Sequence, residues 1–227
     1  MNVTCISASN IQQSGRANST SYRICESVVN AVLSHGMACE HTIIDLREYP
    51  LTPCIGCGRC YDTHRCACDD AFNRIYETVM HSDALFIVSP HYAPIPAKLC
   101  MVLEKMEQIT FLHWGNDGTY KSEVYGIPTG IISHGGGAAW ALPEYRRMVN
   151  DTIANALATI HLRPVPFSEE WKTGIALPVR HVAYVSGSPF PVQEYDWDDL
   201  DRRITAYVAA VMASLPATGR QETPQPG

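Results

Sequence analysis

The chain has 227 residues, 46% of them hydrophobic and 18% charged, so it is long enough to bury the core of one domain. Its formal net charge of -6 comes from acidic and basic residues spread along the sequence without a basic stripe, which argues against nucleic acid as a partner. The N-terminus lacks a basic segment followed by an apolar run, and no window approaches about 18 consecutive apolar residues. We therefore expect a cytoplasmic protein with no membrane partner.

Short apolar runs alternate with stretches of helical period through the first 160 or so residues. The runs NVTCIS, CEHTIIDL, ALFIVSP and PTGIISH predict strands, and the stretches after them predict helices that begin near residues 20, 70, 97 and 142. With right-handed crossovers, this alternation predicts a doubly wound parallel α/β sheet with helices on both faces. The ligand of such a sheet lies at the carboxyl ends of the strands.

The pattern weakens after His161. HLRPVPF predicts a fifth, edge strand, the extension from about residue 167 is irregular, and LDRRITAYVAAVMASL predicts a closing amphipathic helix. We therefore expect one domain over residues 1–214, with a five-stranded sheet, and a disordered tail over residues 215–227. The aromatic, loop-like segments 111–126 and 167–195 are expected to cover a ligand or to contact another subunit.

Three loops at strand ends are the candidates for ligand binding. The first, SASNIQQSGRANSTS, is rich in hydroxyl and amide groups and opens a helix, so it suits a phosphate, although a solvated, cap-rich loop is an equally ordinary interpretation. It contains neither of the glycine patterns typical of NTP or dinucleotide binding. The loops SPHYAPIPA and SHGGG carry little bulk and would allow a flat aromatic ligand to approach the backbone.

Five of the nine cysteines lie in the stretch CIGCGRCYDTHRCAC, between Cys54 and Cys68. Thiols stay reduced in the cytoplasm, so this density indicates metal binding or redox chemistry rather than structural disulfides. Three interpretations stay open: an iron-sulfur cluster, a zinc site made of four cysteines, or a thiol loop that holds no metal.

These motifs together resemble the flavodoxin-like NADPH-dependent FMN reductase family. The resemblance rests on Asn-Ser-Thr at the end of the first loop, the C-x2-C-x2-C-x5-C pattern followed by Asp-Asp, SPxY after the third strand and glycines after the fourth. It covers roughly residues 1–165 in order, and the cysteine spacing is similar to that of the iron-sulfur flavoproteins within the family.

The resemblance implies an FMN site at the three loops. Its phosphate contacts would be Ser9, Arg16, Asn18, Ser19 and Thr20. The flavin ring would lie against Pro90, His91, Tyr92, Ala93, Pro94 and Ile95 on one side and Ser133, His134, Gly135, Gly136 and Gly137 on the other. His91, Tyr92 and His134 are the candidates for a catalytic role.

The resemblance also implies a 4Fe-4S cluster on Cys54, Cys57, Cys60 and Cys66, with Cys68 as a competing fourth ligand. The activity expected is that of an FMN-dependent oxidoreductase, in which FMN exchanges electrons with the cluster and a small acceptor is reduced. NAD(P)H or a ferredoxin-like protein would be the donor, and the protein would form a homodimer or homotetramer. The alternatives are a cluster-free NAD(P)H-dependent FMN or quinone reductase and a non-catalytic binding protein of the same fold.

Overall fold

A computed structural model of the chain describes residues 1–11, 16–36, 38–187 and 191–216. Most of the tail expected to be disordered, residues 217–227, lies outside the described residues, as do residues 12–15 of the first loop. None of the described helices combines the length and the apolar character that crossing a membrane requires.

The main sheet is parallel and its strands lie in the order β2-β1-β3-β4-β5, with β6 also paired to β4. The strands are β1 (Asn2–Ser7), β2 (Glu40–Asp45), β3 (Ala84–Pro90), β4 (Pro128–His134), β5 (Arg163–Pro164) and β6 (Ile175–Leu177). Every residue of β3 and β4 is buried, as their nearly continuous apolar sequences predict for central strands covered on both faces. The order 2-1-3-4-5 is that of flavodoxin-like proteins, which confirms the predicted fold class.

The fifth position of the sheet differs from the single edge strand that we predicted. Two short strands share it: β5 pairs with the beginning of β4, and β6 pairs with its end. Pro164 and Pro166 have no N–H group to donate to a ladder, so the chain leaves the sheet after Val165 and returns at Ile175. The sheet therefore has six strands in five positions.

Helices cover both faces of the sheet, as predicted. The longer ones are α1 (Thr20–Ser34), α3 (Asp70–Met80), α4 (Ala97–Asn116), α6 (Asp151–Thr159) and α7 (Trp197–Ala213), and the single turns are α2 (Cys60–Thr63) and α5 (Leu142–Tyr145). The hydrophobic residues of α1 and α7 pack on one face, and those of α3, α4 and α6 pack on the other. A π-helical turn, Arg146–Asn150, joins α5 to α6 into the one long helix that the sequence predicts.

The segment 111–126 is only partly the loop that we expected, because α4 continues to Asn116. The extension after residue 167 is also more ordered than expected, since it contains β6 and a separate antiparallel hairpin. The hairpin is formed by β7 (His181–Ala183) and β8 (Val192–Glu194). Its position beside the loop after β4 matters for the candidate site.

Candidate flavin and cysteine sites

The first loop connects β1 to α1 at the carboxyl edge of the sheet. Ser19 is the N-cap of α1, and its hydroxyl accepts a hydrogen bond from the backbone N–H of Tyr22 at 3.3 Å. Ser9 accepts one from the N–H of Ile11, also at 3.3 Å. Because the first N–H groups of a helix have no partner within the helix, this end of α1 offers donors and a positive dipole end to an anion.

A cleft of about 530 Å³, including space open to solvent, lies where the three predicted loops meet. The residues that line it are Ser9, Ile11, Asn18, Ser19, Thr20, Ser21, Pro90, His91, Tyr92, His134, Gly135, Gly136 and Gln193. The structure thus brings together members of all three loops, which lie far apart in sequence. Among the described residues of this lining none is Lys or Arg, so its polar groups are hydroxyls, amides, imidazoles and backbone N–H groups.

Six predicted site residues do not line the cleft: Arg16, Ala93, Pro94, Ile95, Ser133 and Gly137. The guanidinium of Arg16 is paired with the carboxylate of Glu48, with nitrogen-oxygen distances of 2.7 and 2.5 Å. Ile95 and Ser133 are buried. Ser133 is one residue from His134 in β4, so its side chain points to the other face of the sheet. A role for these six residues in binding stays a prediction.

His134, at the end of β4, contacts residues of the other two loops that meet at the cleft. Its Nε2 atom lies 2.8 Å from the hydroxyl oxygen of Ser21 in α1, and its backbone carbonyl accepts a hydrogen bond from the N–H of His91 at 2.9 Å. Burial lowers the pKa of the imidazole to about 4, so the ring is neutral at pH 7. Its Nδ1 atom is buried and has no hydrogen-bond partner among the described residues, which leaves it available to a ligand.

The glycines after β4 leave space open in the cleft. They are also needed because Tyr145 of α5 packs so closely on Gly135 and Gly137 that neither position has room for a side chain. A Cβ atom on Gly135 would lie 2.5 Å from the Tyr145 hydroxyl, and one on Gly137 would lie 2.8 Å from the same oxygen. The N–H of Gly137 donates to that hydroxyl at 2.5 Å. A side chain at either position would therefore displace the tyrosine that supports this loop.

The cleft is lined by three residues that the sequence analysis missed, Ile11, Ser21 and Gln193, and the last of them comes from the hairpin. Gln193 of β8 lines the cleft over Gly136, and the hydroxyl of Tyr195 donates to Gln193 Oε1 at 2.8 Å. The available signal was weak: Gly and Pro separate the short alternating runs HVAYV and VQEY, which is typical of a hairpin. Nothing in that pattern indicates that the hairpin reaches the ligand site.

All five cysteines of the stretch between Cys54 and Cys68 line one cavity, of about 400 Å³ including open space. Gly56 and Gly58 adopt φ angles of 65° and 69°, the left-handed backbone conformation that glycine reaches without a steric penalty. The described residues contain no group of three His, Cys, Asp or Glu side chains arranged to hold a single metal ion. The five cysteines thus share one cavity, but the described residues are not grouped as metal ligands, so the cluster stays a proposal.

Neighbouring side chains distinguish the two candidates for a fourth ligand. The backbone of Cys66 is fixed by Asn73, whose side chain accepts from the Cys66 N–H and donates to its carbonyl, each at 2.8 Å. Cys68 is exposed and its sulfur accepts from the guanidinium of Arg59 at 2.9 Å. Hydrogen bonds from the backbone and side chain of Arg59 also lower the pKa of the Cys57 thiol.

A buried ion pair lies beneath the cysteine cavity. Lys105 of α4 lines the cavity, and its ammonium group lies 2.9 Å from the carboxylate of Asp69, with only 3% and 2% of the two side chains exposed. Asp69 also caps α3 by accepting from the N–H of Phe72 at 2.9 Å. Burial alone would raise the pKa of Asp69, but its hydrogen bonds to Thr52, Phe72 and Lys105 lower it, so the carboxylate is ionised.

The segment after α4 packs against the cysteine loop and not against the flavin cleft. The rings of His64 and His113 stack with their centroids 3.8 Å apart, and the Tyr120 ring lies 4.9 Å from that of His113. Glu123 pairs with His64 and accepts from the Tyr120 hydroxyl at 3.1 Å. These contacts pack both imidazole rings against neighbouring side chains of the cysteine loop and of the segment after α4.

The strand order defines this chain as a flavodoxin-like α/β protein, and its cleft lies at the carboxyl edge of the parallel sheet. Residues 1–170 match the model of the NADPH-dependent FMN reductase family, and the chain belongs to that family.

One curated relative is an iron-sulfur flavoprotein of Methanosarcina thermophila, 29% identical over 86 residues. The match covers 36% of this chain and 44% of the relative, so it spans less than half of that protein's length.

Solved structures share the fold at low sequence identity. An oxidoreductase from Corynebacterium diphtheriae superposes with a TM-score of 0.57 at 18% identity, over 94% of this chain and 96% of the other. An NADH:FMN oxidoreductase in its apo form gives a TM-score of 0.55 at 13% identity, over 96% and 91% of the two chains.

Proposed function

We propose that the protein is an FMN-dependent oxidoreductase whose cofactor occupies the cleft between the three loops. The observation that carries the proposal is the convergence of Asn18 to Ser21, Pro90 to Tyr92 and His134 to Gly136 on that one cleft. Family membership supports the same cofactor. Bound FMN would supply the hydride and single-electron chemistry, while the protein supplies position and electrostatics.

The groups of the cleft suit the two ends of FMN. The N-terminus of α1, with the hydroxyls of Ser19 and Thr20, offers donors to a phosphate. The loops after β3 and β4 leave room for the flavin ring. Tyr92 is 36% exposed beside that space. The neutral imidazole of His134 can exchange a hydrogen bond with the ligand through Nδ1 and adds no charge to the site.

Comparing FMN with riboflavin tests the contacts to the phosphate separately from those to the flavin ring. Purified protein is expected to be yellow and to carry about one FMN per chain. A combined Asn18→Ala and Ser19→Ala variant should weaken FMN binding much more than riboflavin binding, because riboflavin lacks the phosphate. Fluorescence titration with both ligands measures this. A protein that binds no added FMN contradicts the cofactor assignment, and equal losses for the two ligands contradict the placement of the phosphate.

We further propose that Cys54, Cys57, Cys60 and Cys66 hold a 4Fe-4S cluster. The support is the convergence of these thiols on one cavity, the fixed backbone of Cys66 and the partial match to an iron-sulfur flavoprotein. Cys68, whose exposed sulfur accepts a hydrogen bond from Arg59, is the competing fourth ligand. Such a cluster would let the protein accept single electrons from a ferredoxin-like donor, with NAD(P)H as the alternative donor.

Iron and acid-labile sulfide should be measured on protein purified and reconstituted without oxygen, because exposed thiols oxidise. We expect about four irons per chain, a loss of iron in Cys57→Ser and retention of iron in Cys68→Ser. If the wild-type protein holds no more iron than Cys57→Ser while both bind FMN, the function becomes that of a cluster-free NAD(P)H-dependent FMN or quinone reductase.

A further inference from the structure

The β7–β8 hairpin is hydrogen-bonded to the loop after β4. The N–H of Val179, just before β7, donates to the carbonyl of Gly137 at 3.1 Å, and the N–H of Arg180 donates to the carbonyl of Glu194 at 2.8 Å. The first bond joins the hairpin segment to the glycine loop, and the second closes the hairpin on itself. Gln193 of β8 is thereby placed beside Gly136, at the edge of the cleft.

The orientation of the Gln193 amide follows from its contact with Tyr195. Burial raises the pKa of the Tyr195 hydroxyl, so the group is protonated and donates. Of the two acceptors in reach, Gln193 Oε1 is at 2.8 Å and the carbonyl oxygen of Gly135 is at 3.5 Å, so the stronger bond is to Gln193.

Because Oε1 of Gln193 is bonded to Tyr195, the amide nitrogen Nε2 faces the cleft. A Cβ atom built on Gly136 would lie 3.1 Å from Nε2, so this nitrogen stands directly over the bare backbone of the glycine loop. Among the described residues no protein acceptor is hydrogen-bonded to Nε2. An amide whose oxygen is already engaged presents only donors, and donors suit an acceptor oxygen of a ligand.

Tyr195 is itself held rigidly. Its side chain is buried, its ring centroid lies 5.3 Å from that of Trp197 at the beginning of α7, and the Arg23 guanidinium lies 3.6 Å over the Trp197 ring. A contact that depends on Tyr195 is therefore preorganised before a ligand arrives.

We propose that Gln193 donates a hydrogen bond from Nε2 to an acceptor oxygen of the bound flavin nucleotide, and that Tyr195 is the positioning residue that orients this amide. The inference rests on the proposed binding of FMN in the cleft. It makes the C-terminal hairpin, which lies beyond the 1–170 segment matched by the family, part of the cofactor site. The acceptor is either an oxygen of the ring and ribityl chain or an oxygen of the phosphate, and the test distinguishes the two.

The test compares FMN and riboflavin affinities of the full chain. Because one hydrogen bond contributes about 1 kcal/mol, Gln193→Leu should weaken FMN binding roughly five- to tenfold. Gln193→Glu keeps the size of the side chain, replaces the donor by a carboxylate and should lose at least as much. The control is Glu194→Gln, an exposed neighbour in the same strand, which should bind FMN as the wild type does.

The role of Tyr195 is tested by a double-mutant cycle. Tyr195→Phe should weaken FMN binding about threefold in the wild-type background and not at all in Gln193→Leu, because its effect passes through the amide. A loss of the same size in both backgrounds would show that Tyr195 acts independently of Gln193.

The riboflavin titration identifies the acceptor. Equal losses for FMN and riboflavin in Gln193→Leu place the contact on the ring or ribityl oxygens, and a loss confined to FMN places it on the phosphate. The proposal is overturned if Gln193→Leu and Gln193→Glu, folded by circular dichroism, bind FMN within twofold of the wild type. If the wild-type protein binds no FMN, the proposal that FMN is the cofactor is wrong, and the inference about Gln193 is wrong for that reason.

Discussion

His134 is buried at the end of β4, where charging its imidazole costs more than it does in water. Its folded pKa of about 4 lies below the value of about 6.5 expected in an unfolded chain. Between these two pH values the unfolded state binds more protons than the folded state. The stability of the protein must therefore fall as the pH is lowered through this window.

The first prediction concerns that pH dependence in the absence of flavin. The wild-type free energy of unfolding should fall between pH 6.5 and pH 4.5 by more than that of His134→Gln, with an upper limit on the difference of about 2 kcal/mol over this range. Urea unfolding across this range measures the slope. His41→Gln is the control because His41 is exposed, and its slope should follow the wild type. Parallel slopes for the wild type and His134→Gln would refute the effect of burial.

A second prediction at this scale concerns the ion pair beneath the cysteines. Lys105→Met leaves the carboxylate of Asp69 buried without its cation and should destabilise the protein by about 3 kcal/mol or more. Lys172→Met is the matched control, because Lys172 and Glu169 form an exposed pair at 3.9 Å and its loss should change stability by less than about 0.5 kcal/mol. Urea unfolding at pH 7 compares them, and similar values for the two variants would contradict the role of burial.

At the scale of elements, the sequence correctly predicted the features that depend on residues close together in the chain. The run ALFIVSP predicted β3, and the helical period after the cysteines predicted a helix that begins near residue 70, because both signals depend on neighbours in sequence. The split of the fifth sheet position depends on where β4 lies, and the placement of Gln193 depends on the contact of the hairpin with the glycine loop. These long-range contacts are absent from any local window, so the sequence could predict three loops of the cleft and not the hairpin that completes it.

Gly174 shows how tightly β6 is joined to the sheet, and it carries the third prediction. Its φ is +109°, and an added Cβ atom would lie 2.1 Å from the carbonyl oxygen of Ile131 in β4. Gly174→Ala should therefore displace β6 and lower the free energy of unfolding by about 3 kcal/mol or more. Gly118→Ala, where a Cβ atom meets nothing within 4 Å, is the control. Thermal unfolding of the two variants checks this, and a Gly174→Ala protein as stable as the control would mean that β6 contributes little.

At the scale of the whole molecule, large apolar side chains remain exposed on segments that adjoin the cleft-lining residues in sequence. Trp140 follows the glycine loop and is 80% exposed, and Tyr184 follows β7 and is 87% exposed. Val192 of β8 is also exposed. Large exposed apolar side chains are found on surfaces that another protein covers.

We propose that a second copy of this chain covers that surface, which is the fourth prediction. The chain mass is 25.1 kDa, so light scattering at micromolar concentration should give a homodimer or homotetramer mass that is a multiple of this value. Trp140→Glu places a charge in the proposed contact and should lower the mass to that of the monomer, because burying an unpaired carboxylate is costly. Phe111→Glu is the control: its side chain is exposed on α4, the helix that lines the cysteine cavity, and Phe111 does not line the flavin cleft. A monomeric wild-type protein with FMN bound would contradict the assembly, and an unchanged mass in Trp140→Glu would place the contact elsewhere.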